Sequence, residues 1–412
     1  MIVRLIGVGF SAWTVIACSA APSVEPMPPH PLPAEMAPAS PSVGPNPTLP
    51  DSAPVLPSPV PITIVAVGDV MPGSMTPIPF VPTPADRDIP EGIRGTIPEA
   101  DLVFGNLEGT FVVDGMMPAK CRPESREAGR CYEFGFPPFL ASFLKAAGFT
   151  VLSLDNNHSD DYGLPGYAFT QGLLAQAGLV AVPKRTPTAL AVRDVVVAVV
   201  PFGFSGRSFH VSDLETARSI VAEAGRSADV VIVSFHGGSE GETASRVTDM
   251  AEEYYGEDRG NVLQFAHAVV DAGADVVLGH GPHVPRAVEL YRGRLIAYSL
   301  GNFWTYGNIS IKGARGVMPL LRVTVARDGT FLSGRLFSMR QRLPGIPEPD
   351  PEGTAIRMIS TLSREDFPTS PLTITETGEL RVQPETQDQR QTETCGADVS
   401  SECSEADLLQ PD

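Results

Sequence analysis

The segment VLGHGPHVPRAVE, residues 277–289, carries two histidines three positions apart at the end of an apolar run. Similar polar groups follow five other apolar runs. The residues at these places are Asp69; Asn106 with Glu108; Asn157 with His158; His236 with Glu240; His280 with His283; and Asn302. Carboxylates, carboxamides and imidazoles are together the ligands that a divalent metal such as zinc, iron or manganese takes in proteins. These residue types therefore suggest a metal centre.

Each of these residues, taken alone, also has an ordinary structural explanation. Asp69 could cap a helix, and Asn106 and Asn302, each after a glycine, could occupy turns that tolerate positive φ. His236 could be a buried imidazole bonded to backbone, and Glu240 a solvated loop acid. Polar residues at the ends of six apolar runs are more simply explained by one shared site than by six separate structural roles.

The elements that must position these residues are short buried strands. The apolar runs cover residues 62–69, 101–108, 149–158, 194–203, 229–238, 275–283 and 295–303. Helical patterns at 213–225 and 261–273 end on glycines. Strands that are apolar on both faces and alternate with helices predict an α/β fold with covered sheets. Ligands of such sheets bind at the carboxyl ends of the strands, where the polar residues stand.

The rest of the chain divides by composition. Residues 317–339 predict two strands joined by an Arg-Asp-Gly turn, 354–366 a helix and 378–382 a last strand. We expect one main folded domain over residues 61–382. The acidic, Gln- and Thr-rich segment 383–412 predicts a disordered tail.

The amino terminus predicts export. Residues 1–17 combine Arg4 with an apolar stretch too short to span a bilayer, and the following Cys18 completes the sequence VIAC. VIAC resembles the lipobox of bacterial lipoproteins, which implies that Cys18 is lipidated; the alternative is an ordinary cleaved signal. Between Pro22 and Pro61, 15 of 40 residues are proline, so 18–60 predicts an extended stalk.

Charge and cysteine content narrow the function classes. The 412 residues carry a formal net charge of −18, which argues against a nucleic-acid partner. Apart from Cys18, four cysteines remain, an even number in a chain destined for an oxidising compartment. Of the three possible pairings we favour Cys121 with Cys131 and Cys395 with Cys403; metal binding by these thiols is less favoured because neither pair has CxxC spacing.

From about residue 62 to residue 382 the chain resembles the CapA/PgsA family, which acts in capsule and poly-γ-glutamate synthesis. The segments that carry the resemblance are GDVMPG, GNLEGTF, AGFTVLSLDNNHSDDYG, HGGSE, GHGPHVPRAVE and YSLGNFW. The resemblance implies an α/β calcineurin-like metallophosphoesterase fold, with layered sheets flanked by helices in a single main domain.

The resemblance also implies roles for individual residues. The implied metal ligands are Asp69, Glu108, Asn157, His236, His280 and His283. His158 would be the catalytic acid, oriented by Asp161. Substrate contacts are expected from Asn106, Glu240, Asn302 and Arg286.

Two departures from the family pattern bear on the number of ions. Met71 stands where two-metal phosphoesterases have a histidine, and Gly281 stands where many CapA proteins have another. One ion or an asymmetric pair is therefore expected. Manganese, iron and zinc all suit the mixed nitrogen and oxygen ligand set.

Two functions from different classes fit these features. The first is a metal-assisted hydrolase or transferase that acts on an anionic cell-surface polymer or its phosphorylated precursor. The second is a noncatalytic accessory subunit that binds the polymer within a membrane synthesis or export complex. In both, the chain is an exported, membrane-anchored lipoprotein of the bacterial cell envelope. A solute-binding lipoprotein, a third possibility, would explain none of the histidines.

Overall fold

A computed structural model describes residues 60–383, apart from residues 77, 129, 308 and 309. The expected signal peptide with Cys18, nearly all of the stalk, and the tail with Cys395 and Cys403 lie outside the described residues. Within the described residues, no helix combines the length and the apolar character that a membrane crossing requires.

The described part of the chain contains twenty strands, seven α-helices and two short 3-10 helices, the latter at Glu242–Ala244 and Gly313–Gly316. The strands are Ile62–Met71 (β1), Leu102–Leu107 (β2), Thr110–Phe111 (β3), Gly135–Phe136 (β4), Val151–Ser153 (β5), Val180–Val182 (β6), Thr188–Val192 (β7), Val195–Phe202 (β8), Val230–His236 (β9), Glu252–Tyr254 (β10), Glu257–Gly260 (β11), Val276–His280 (β12), Val288–Tyr291 (β13), Arg294–Ala297 (β14), Asn302–Thr305 (β15), Val317–Val325 (β16), Phe331–Arg342 (β17), Ile346–Pro349 (β18), Leu372–Ile374 (β19) and Glu379–Val382 (β20). The helices are Asp88–Thr96 (α1), Pro123–Glu127 (α2), Leu140–Ala146 (α3), Gly163–Gln176 (α4), Leu214–Ala224 (α5), Val262–Asp271 (α6) and Thr354–Asp366 (α7).

Two large mixed sheets contain most of these strands. The first has the order β19-β20-β17-β16-β1-β2-β5-β6, with β15 paired to β1 and β18 to β17. The second has the order β13-β14-β12-β9-β8-β7. In the first sheet β15, β1, β2, β5 and β6 run parallel, and in the second β14, β12, β9 and β8 do. Each sheet therefore has a block of parallel strands whose carboxyl ends meet at one edge.

The sheets pack face to face, and helices cover their outer faces. Alternate residues of β1 belong to different apolar layers, as strand geometry requires. Ile62 and Ile64 pack between the sheets, whereas Val65 and Val67 pack on the side of α1, α3 and α4. The outer face of the second sheet packs against α5 and α6. The predicted α/β class, with layered sheets flanked by helices, is confirmed.

Several predicted elements are confirmed within a few residues. The helices expected at 213–225, 261–273 and 354–366 are α5, α6 and α7, and the expected hairpin is β16 with β17. The helix signals were strong because the caps are conventional: Asp213 and Asn261 accept hydrogen bonds from the amides of Thr216 and Gln264.

The single strand predicted over 295–303 is wrong. The second sheet's β14 ends at Ala297, and the first sheet's β15 begins at Asn302, so residues 298–301 carry the chain from one sheet to the other. Gly301 has φ +64° and its carbonyl accepts the Asp69 amide at 2.9 Å. A side chain at Gly68 would overlap Gly301, so this close approach requires glycine at 68. The crossing places Asn302 beside β1 instead of beyond a strand end.

Candidate metal centre

Three parallel strands of the first sheet place a row of polar side chains at one level. In the register of the sheet, Asn302 on β15 and Asn106 on β2 both pair with Asp69 on β1, and all three are buried. The Asn106 carboxamide donates a hydrogen bond to Asp69 Oδ1 at 2.8 Å. A register irregularity follows Ala66 in the pairing of β1 with β2, at the point where Asp69 approaches the site.

Glu108 extends this row just beyond the end of β2. Its amide donates to the Val70 carbonyl at 3.0 Å, which fixes the backbone, and its side chain is fully buried. Neither of its carboxylate oxygens has a hydrogen-bond partner. Burial is the main cause that raises the pKa of Glu108 to about 8, and the nearby charges of Asp69 and Glu240 act in the same direction. Only a nearby cation would favour the ionised form of this buried carboxyl.

The second sheet supplies two imidazoles to the same place. His236 and His280 are the last residues of β9 and β12, and they are partners in the register of the parallel pair. His280 Nε2 lies 3.2 Å from the Val67 carbonyl, so Nε2 is the donor and Nδ1 keeps its lone pair; Nδ1 has no partner. His236 Nε2 also has no partner and lies 3.9 Å from Glu108 Oε1. Burial lowers the pKa of both histidines, which keeps them in the neutral form that binds metals.

His283 reaches the cluster from the loop that follows β12, where it adopts a positive φ of 58°. Its Nδ1 lies 3.0 Å from both Asn302 Oδ1 and Asp69 Oδ2, and its Nε2 lies 3.8 Å from Glu108 Oε1. Burial alone would lower the pKa of His283, but the carboxylates of Glu108 and Asp69 raise it to about 10. The raised pKa reflects the negative charge of the carboxylates that surround this imidazole.

These residues fit a divalent metal ion. Asp69, Glu108 and His236 each offer a ligand atom, and these atoms lie within 4.8 Å of one another. Within the described residues, several buried polar atoms without hydrogen-bond partners belong to the predicted ligand set. They are both carboxylate oxygens of Glu108, Asn157 Oδ1, His236 Nε2 and His280 Nδ1. Asp69 Oδ2 has only His283 Nδ1 near it, at 3.0 Å, and that nitrogen also faces Asn302 Oδ1. Since buried polar atoms are almost always paired, this concentration indicates a site for a cation.

In the Asn-Asn-His segment after β5, Asn156, Asn157 and His158 make different contacts. Asn156 donates to Asn106 Oδ1 at 3.0 Å and to the Leu107 carbonyl at 2.9 Å, and its own Oδ1 accepts the His158 amide. This leaves the buried Asn157 Oδ1 free for a cation. The carboxamide of Asn156 therefore holds the Asn106 side chain and the His158 backbone in position.

His158 and Asp161 form a pair at the rim of the cluster. His158 Nδ1 lies 2.8 Å from Asp161 Oδ2, and Nε2 points toward Glu108 Oε1, 3.9 Å away. Asp161 also accepts the Phe134 amide at 2.6 Å, so its orientation is fixed. Burial lowers the pKa of His158, although the Asp161 charge opposes that change. Asp161 thus selects the tautomer with hydrogen on Nδ1 and directs Nε2 into the site.

Three of the four residues predicted as substrate contacts are buried and bonded within the protein. Asn106 is 1% exposed and Asn302 is 0% exposed; Asn106 bonds to Asp69 and Asn156, and Asn302 bonds to His283 and the Arg315 carbonyl. Arg286 is also 0% exposed and forms a bidentate ion pair with Glu252 at 2.7 and 2.6 Å. In this structure the three side chains contact other residues of the protein, and their predicted role as substrate contacts stays a prediction. Glu240 is the partly exposed member, 3.9 Å from His283 Nε2 and 3.1 Å from Arg259 Nη1.

Sequence reasoning missed two residues at this site. The role of Asn156 could have been suspected from the doubled asparagine, but Arg259 lies in the β10–β11 hairpin, for which no apolar run gave a signal. Its buried guanidinium stacks on the Phe204 ring at 3.7 Å and pairs with Glu240. Lys120 also belongs to the site, since it lies beside His158 and Asp161.

Residues 63–306 match the family model described as bacterial capsule synthesis protein PGA_cap. The chain belongs to this family. A relative of the PGA_cap chain is the PGA biosynthesis protein CapA of Bacillus subtilis (strain 168), 31% identical over 222 residues, which are 50% of this chain and 53% of that protein. A probable polyglutamine synthesis accessory protein of Mycobacterium tuberculosis (strain H37Rv) is 30% identical over 299 residues, 64% of this chain and 71% of that protein. The PGA_cap chain thus spans about half the length of its Bacillus relative.

A solved structure with a similar fold is a 5'-nucleotidase precursor from Thermus thermophilus. It aligns with 74% of the PGA_cap chain and 59% of its own, at a TM-score of 0.38 and 14% identity. This match carries no argument about the site, so the case for a metal centre in this family member depends on its own residues.

The disulfide predicted between Cys121 and Cys131 is present. It closes a loop next to the His158 and Asp161 pair, through Lys120 on one side and Phe134 on the other. The loop is therefore part of the surroundings of the candidate metal centre.

Proposed function

We propose that this chain acts in the synthesis of an anionic cell-surface polymer of the capsule or poly-γ-glutamate type, as a metal-dependent hydrolase or transferase. Family membership and the names of the two relatives support the biological process. One observation supports the chemistry: ligand atoms of the buried Asp69, Glu108 and His236 lie within 4.8 Å of one another. The neighbouring Asn157 Oδ1 and His280 Nδ1 are also buried without hydrogen-bond partners. The substrate class is the polymer itself or its phosphorylated precursor.

The residues that would hold the ion are Asp69, Glu108, Asn157, His236, His280 and His283. A divalent cation there would supply positive charge and Lewis acidity to the group under attack. His158 is suited to proton transfer because Asp161 holds Nδ1 and leaves Nε2 toward the cluster. With hydrogen on Nδ1, Nε2 is free to accept a proton, and the resulting imidazolium, stabilised by the Asp161 carboxylate, would pass that proton to a leaving group.

Metal content is the first test of this proposal. The full chain, purified and incubated with Mn²⁺, Fe²⁺ or Zn²⁺, should retain about one or two ions per chain after gel filtration, measured by elemental analysis. His236→Ala should lose at least half of this content. His267→Ala is the matched control, since His267 pairs with Glu289 outside the cluster, and it should retain the wild-type content. A wild-type chain without bound metal would contradict the proposal.

Catalysis is tested on the same preparations. The loaded chain should hydrolyse bis(p-nitrophenyl) phosphate or cut a γ-linked glutamate polymer, and His158→Ala should lower kcat by about 10²–10⁴-fold, the usual contribution of general acid catalysis. Metal content should remain unchanged in this variant.

The mycobacterial relative is named as an accessory protein, which favours a second candidate, noncatalytic polymer binding. Polymer binding without turnover in the wild type, with capsule formation unaffected by His158→Ala, would select this candidate.

We also propose that the chain is exported and anchored to the membrane through a lipidated Cys18. The support is the sequence VIAC after an apolar stretch that follows Arg4. Cells that express the wild type should incorporate a radiolabelled fatty acid into the protein, and Cys18→Ser should abolish the label. Cys395→Ser is the control that should keep it. Label that persists in Cys18→Ser would disprove the anchor.

A further inference from the structure

A loop closed by the Cys121–Cys131 disulfide lies at the mouth of the candidate metal centre. We call residues 119–134 the disulfide loop; residue 129 is not described. Both of its ends contact Asp161. The Ala119 amide donates to the Asp161 carbonyl at 2.7 Å, and the Phe134 amide donates to Asp161 Oδ2 at 2.6 Å. The disulfide therefore links two chain segments that hold the same residue.

The interior of the disulfide loop is also fixed by a buried acid. Glu133 is 1% exposed and accepts the Cys121 amide at 2.8 Å. Arg126 donates to its two carboxylate oxygens at 2.7 and 3.1 Å. A bidentate pair of this kind restricts orientation as well as distance. The backbone that carries Lys120 is consequently held from both sides.

Lys120 places its ammonium group beside the proton-transfer pair. Nζ lies 3.4 Å from Asp161 Oδ1 and 3.3 Å from His158 Nδ1. The Lys120 side chain is 31% exposed, against 12% for His158 and 0% for Asp161. The ammonium is the outermost of the three polar groups, and it has three N–H donors. It can therefore keep its contact with Asp161 and still donate to a molecule that enters from solvent.

Lys120 is a positive charge in surroundings that are mostly negative. The acids Asp69, Glu108 and Asp161 lie within or beside the site, and the whole chain has a net charge of −18. An anionic substrate needs local positive charge to approach such a centre. Arg286, which the sequence suggested for this purpose, is fully buried and paired with Glu252. Lys120 is a partly exposed cation in contact with His158.

We propose that Lys120 binds an anionic oxygen of the substrate, phosphoryl or carboxylate, next to His158, and that the Cys121–Cys131 disulfide positions it for this contact. This inference rests on the proposed function and adds the residue that recognises the substrate's charge. Both oxygen types accept charge-assisted hydrogen bonds from an ammonium group. The two substrate sources therefore share one recognition chemistry.

The first experiment measures anion binding by calorimetry, with the full chain loaded with Mn²⁺ and at low ionic strength. The probes are inorganic phosphate and a γ-linked glutamate trimer, which separate the two substrate sources. Lys120→Met should weaken binding of the preferred probe by about tenfold, the low end for a charge-assisted hydrogen bond. Lys120→Arg, which keeps the charge, should recover most of that loss.

Lys145→Met is the matched control, because Lys145 is exposed on α3 and donates to the Gly178 carbonyl instead. It should bind both probes as the wild type does. Equal affinity of the wild type and Lys120→Met for both probes, or no binding of either probe by the loaded wild type, would overturn the inference.

The second experiment tests the disulfide. The double variant Cys121→Ser/Cys131→Ser should lose affinity for the same probe, whereas Cys395→Ser/Cys403→Ser should not. In a Lys120→Met background, removing Cys121 and Cys131 should cause little further loss, since the two changes act through one contact. A full additional loss there would show that the disulfide acts on something other than Lys120, and would overturn this part of the inference.

The outcomes separate the inference from the proposed function. Metal content should be the same in the wild type, Lys120→Met and Lys120→Arg, because Nζ contacts His158 and Asp161 and none of the expected metal ligands. A wild type that holds no metal overturns the proposed function and this inference with it. If the metal-loaded wild type and Lys120→Met bind the anion probes with the same affinity, the inference is overturned and the proposed function is not.

Discussion

Asn302 links a backbone register to the position of the His283 imidazole, one of the proposed metal ligands. It pairs with Asp69 across β15 and β1, and its Oδ1 lies 3.0 Å from His283 Nδ1. A histidine that donates through Nδ1 presents Nε2 to a metal in a fixed direction. Asn302 therefore has the function of a supporting partner, although its place in the sequence suggested a substrate contact.

We predict that Asn302→Ala weakens metal affinity by about 10–100-fold, the range found when a partner of a metal-binding histidine is removed. Asn302→Asp, which keeps the acceptor, should stay within a few-fold of the wild type. Affinity is measured by competition with a chelator. The control is Asn261→Ala, which removes the α6 cap; it should lower stability by about 1 kcal/mol and leave metal affinity unchanged. Equal affinity losses in both alanine variants would contradict the prediction.

The sequence predicted which residues form the cluster better than it predicted what each residue does. Asp69, Glu108, His236 and His283 are drawn together as expected, because each stands at or near a strand end on the same edge. The tasks of the carboxamides depend on which atoms face each other across two sheets. That information requires the register and the packing of the sheets, so a strand pattern alone could not supply it.

In both sheets, parallel strands are preceded by an aspartate that hydrogen-bonds to the neighbouring strand. Asp101, Asp229 and Asp275 each precede a strand, and each side chain accepts the amide of the neighbouring strand at 2.8 Å. The same three residues donate their own amides to that neighbour, also at 2.8 Å. These paired hydrogen bonds align neighbouring strands at their amino ends. They therefore help to set the relative positions of the carboxyl ends of the same strands.

The aspartates differ in burial, and this predicts a pH effect. Burial raises the pKa of Asp275 to about 6, against the hydrogen bond from Val231 and the charge of Arg294, while Asp328 adds to the rise. An unfolded aspartate has a pKa of about 3.9, so the native state binds the proton more tightly between these values. The stability that this proton contributes is present in acid and is lost as the pH rises through about 6.

We predict that Asp275→Asn gains about 1 kcal/mol of unfolding free energy relative to the wild type between pH 5 and pH 7. Urea unfolding at the two pH values measures this difference. Asp229→Asn is the control: the Val196 amide and Arg327 lower the pKa of Asp229, so its contribution changes only in stronger acid. The free-energy offset of Asp229→Asn should be flat from pH 5 to pH 7. A flat offset for Asp275→Asn as well would disprove the assigned cause.

One buried ion pair joins three loops around the site. Glu252, at the start of β10, accepts both Arg286 nitrogens and the Ser239 amide, the latter at 2.7 Å. Arg286 also donates to the Ser239 carbonyl at 3.2 Å. This pair ties the β10–β11 hairpin and the segment after His236 to the loop after β12.

We predict that Arg286→Met lowers the free energy of unfolding by about 3–5 kcal/mol, because it leaves the Glu252 carboxylate without its partner. Arg286→Met/Glu252→Gln should lose less than the sum of the two single changes. The exposed pair Arg381 and Glu379 provides the comparison, and Arg381→Met should cost less than about 1 kcal/mol. Strict additivity in urea unfolding would show that the two groups do not act as a pair.

Element prediction succeeded where local signals were complete. The helices α5 and α6 carry side-chain caps, and α7 has its boundaries at residues 354 and 366 as predicted. It failed between residues 298 and 301, because an apolar strand that changes sheets has the same composition as one that continues. The β10–β11 hairpin was missed because its residues are mostly polar, and it is held by Arg259 and Arg286.

At the scale of the whole molecule, the candidate centre lies where two sheets meet. Asp69, Glu108 and Asn157 come from the first sheet and its loops, whereas His236 and His280 end strands of the second. The strand pattern alone could not give the number of sheets, because β-branched strands with two apolar faces suit one sheet or two; the layered sheets were expected from the family resemblance. An ion bound by both groups would connect the sheets.

This arrangement predicts that the metal stabilises the fold as a whole. An ion that binds only the native state at about 100 times its Kd should raise the free energy of unfolding by about 2.7 kcal/mol. Chemical unfolding of the full chain, with Mn²⁺ or after EDTA treatment, measures this increment. Asp69→Asn from the first sheet and His236→Ala from the second should each abolish it, because a ligand is lost from either side of the junction. Asp271→Asn, at an exposed pair with Arg292, should retain the full increment. If only one of the two ligand variants lost the increment, the ion would bind a single sheet and would not join the two.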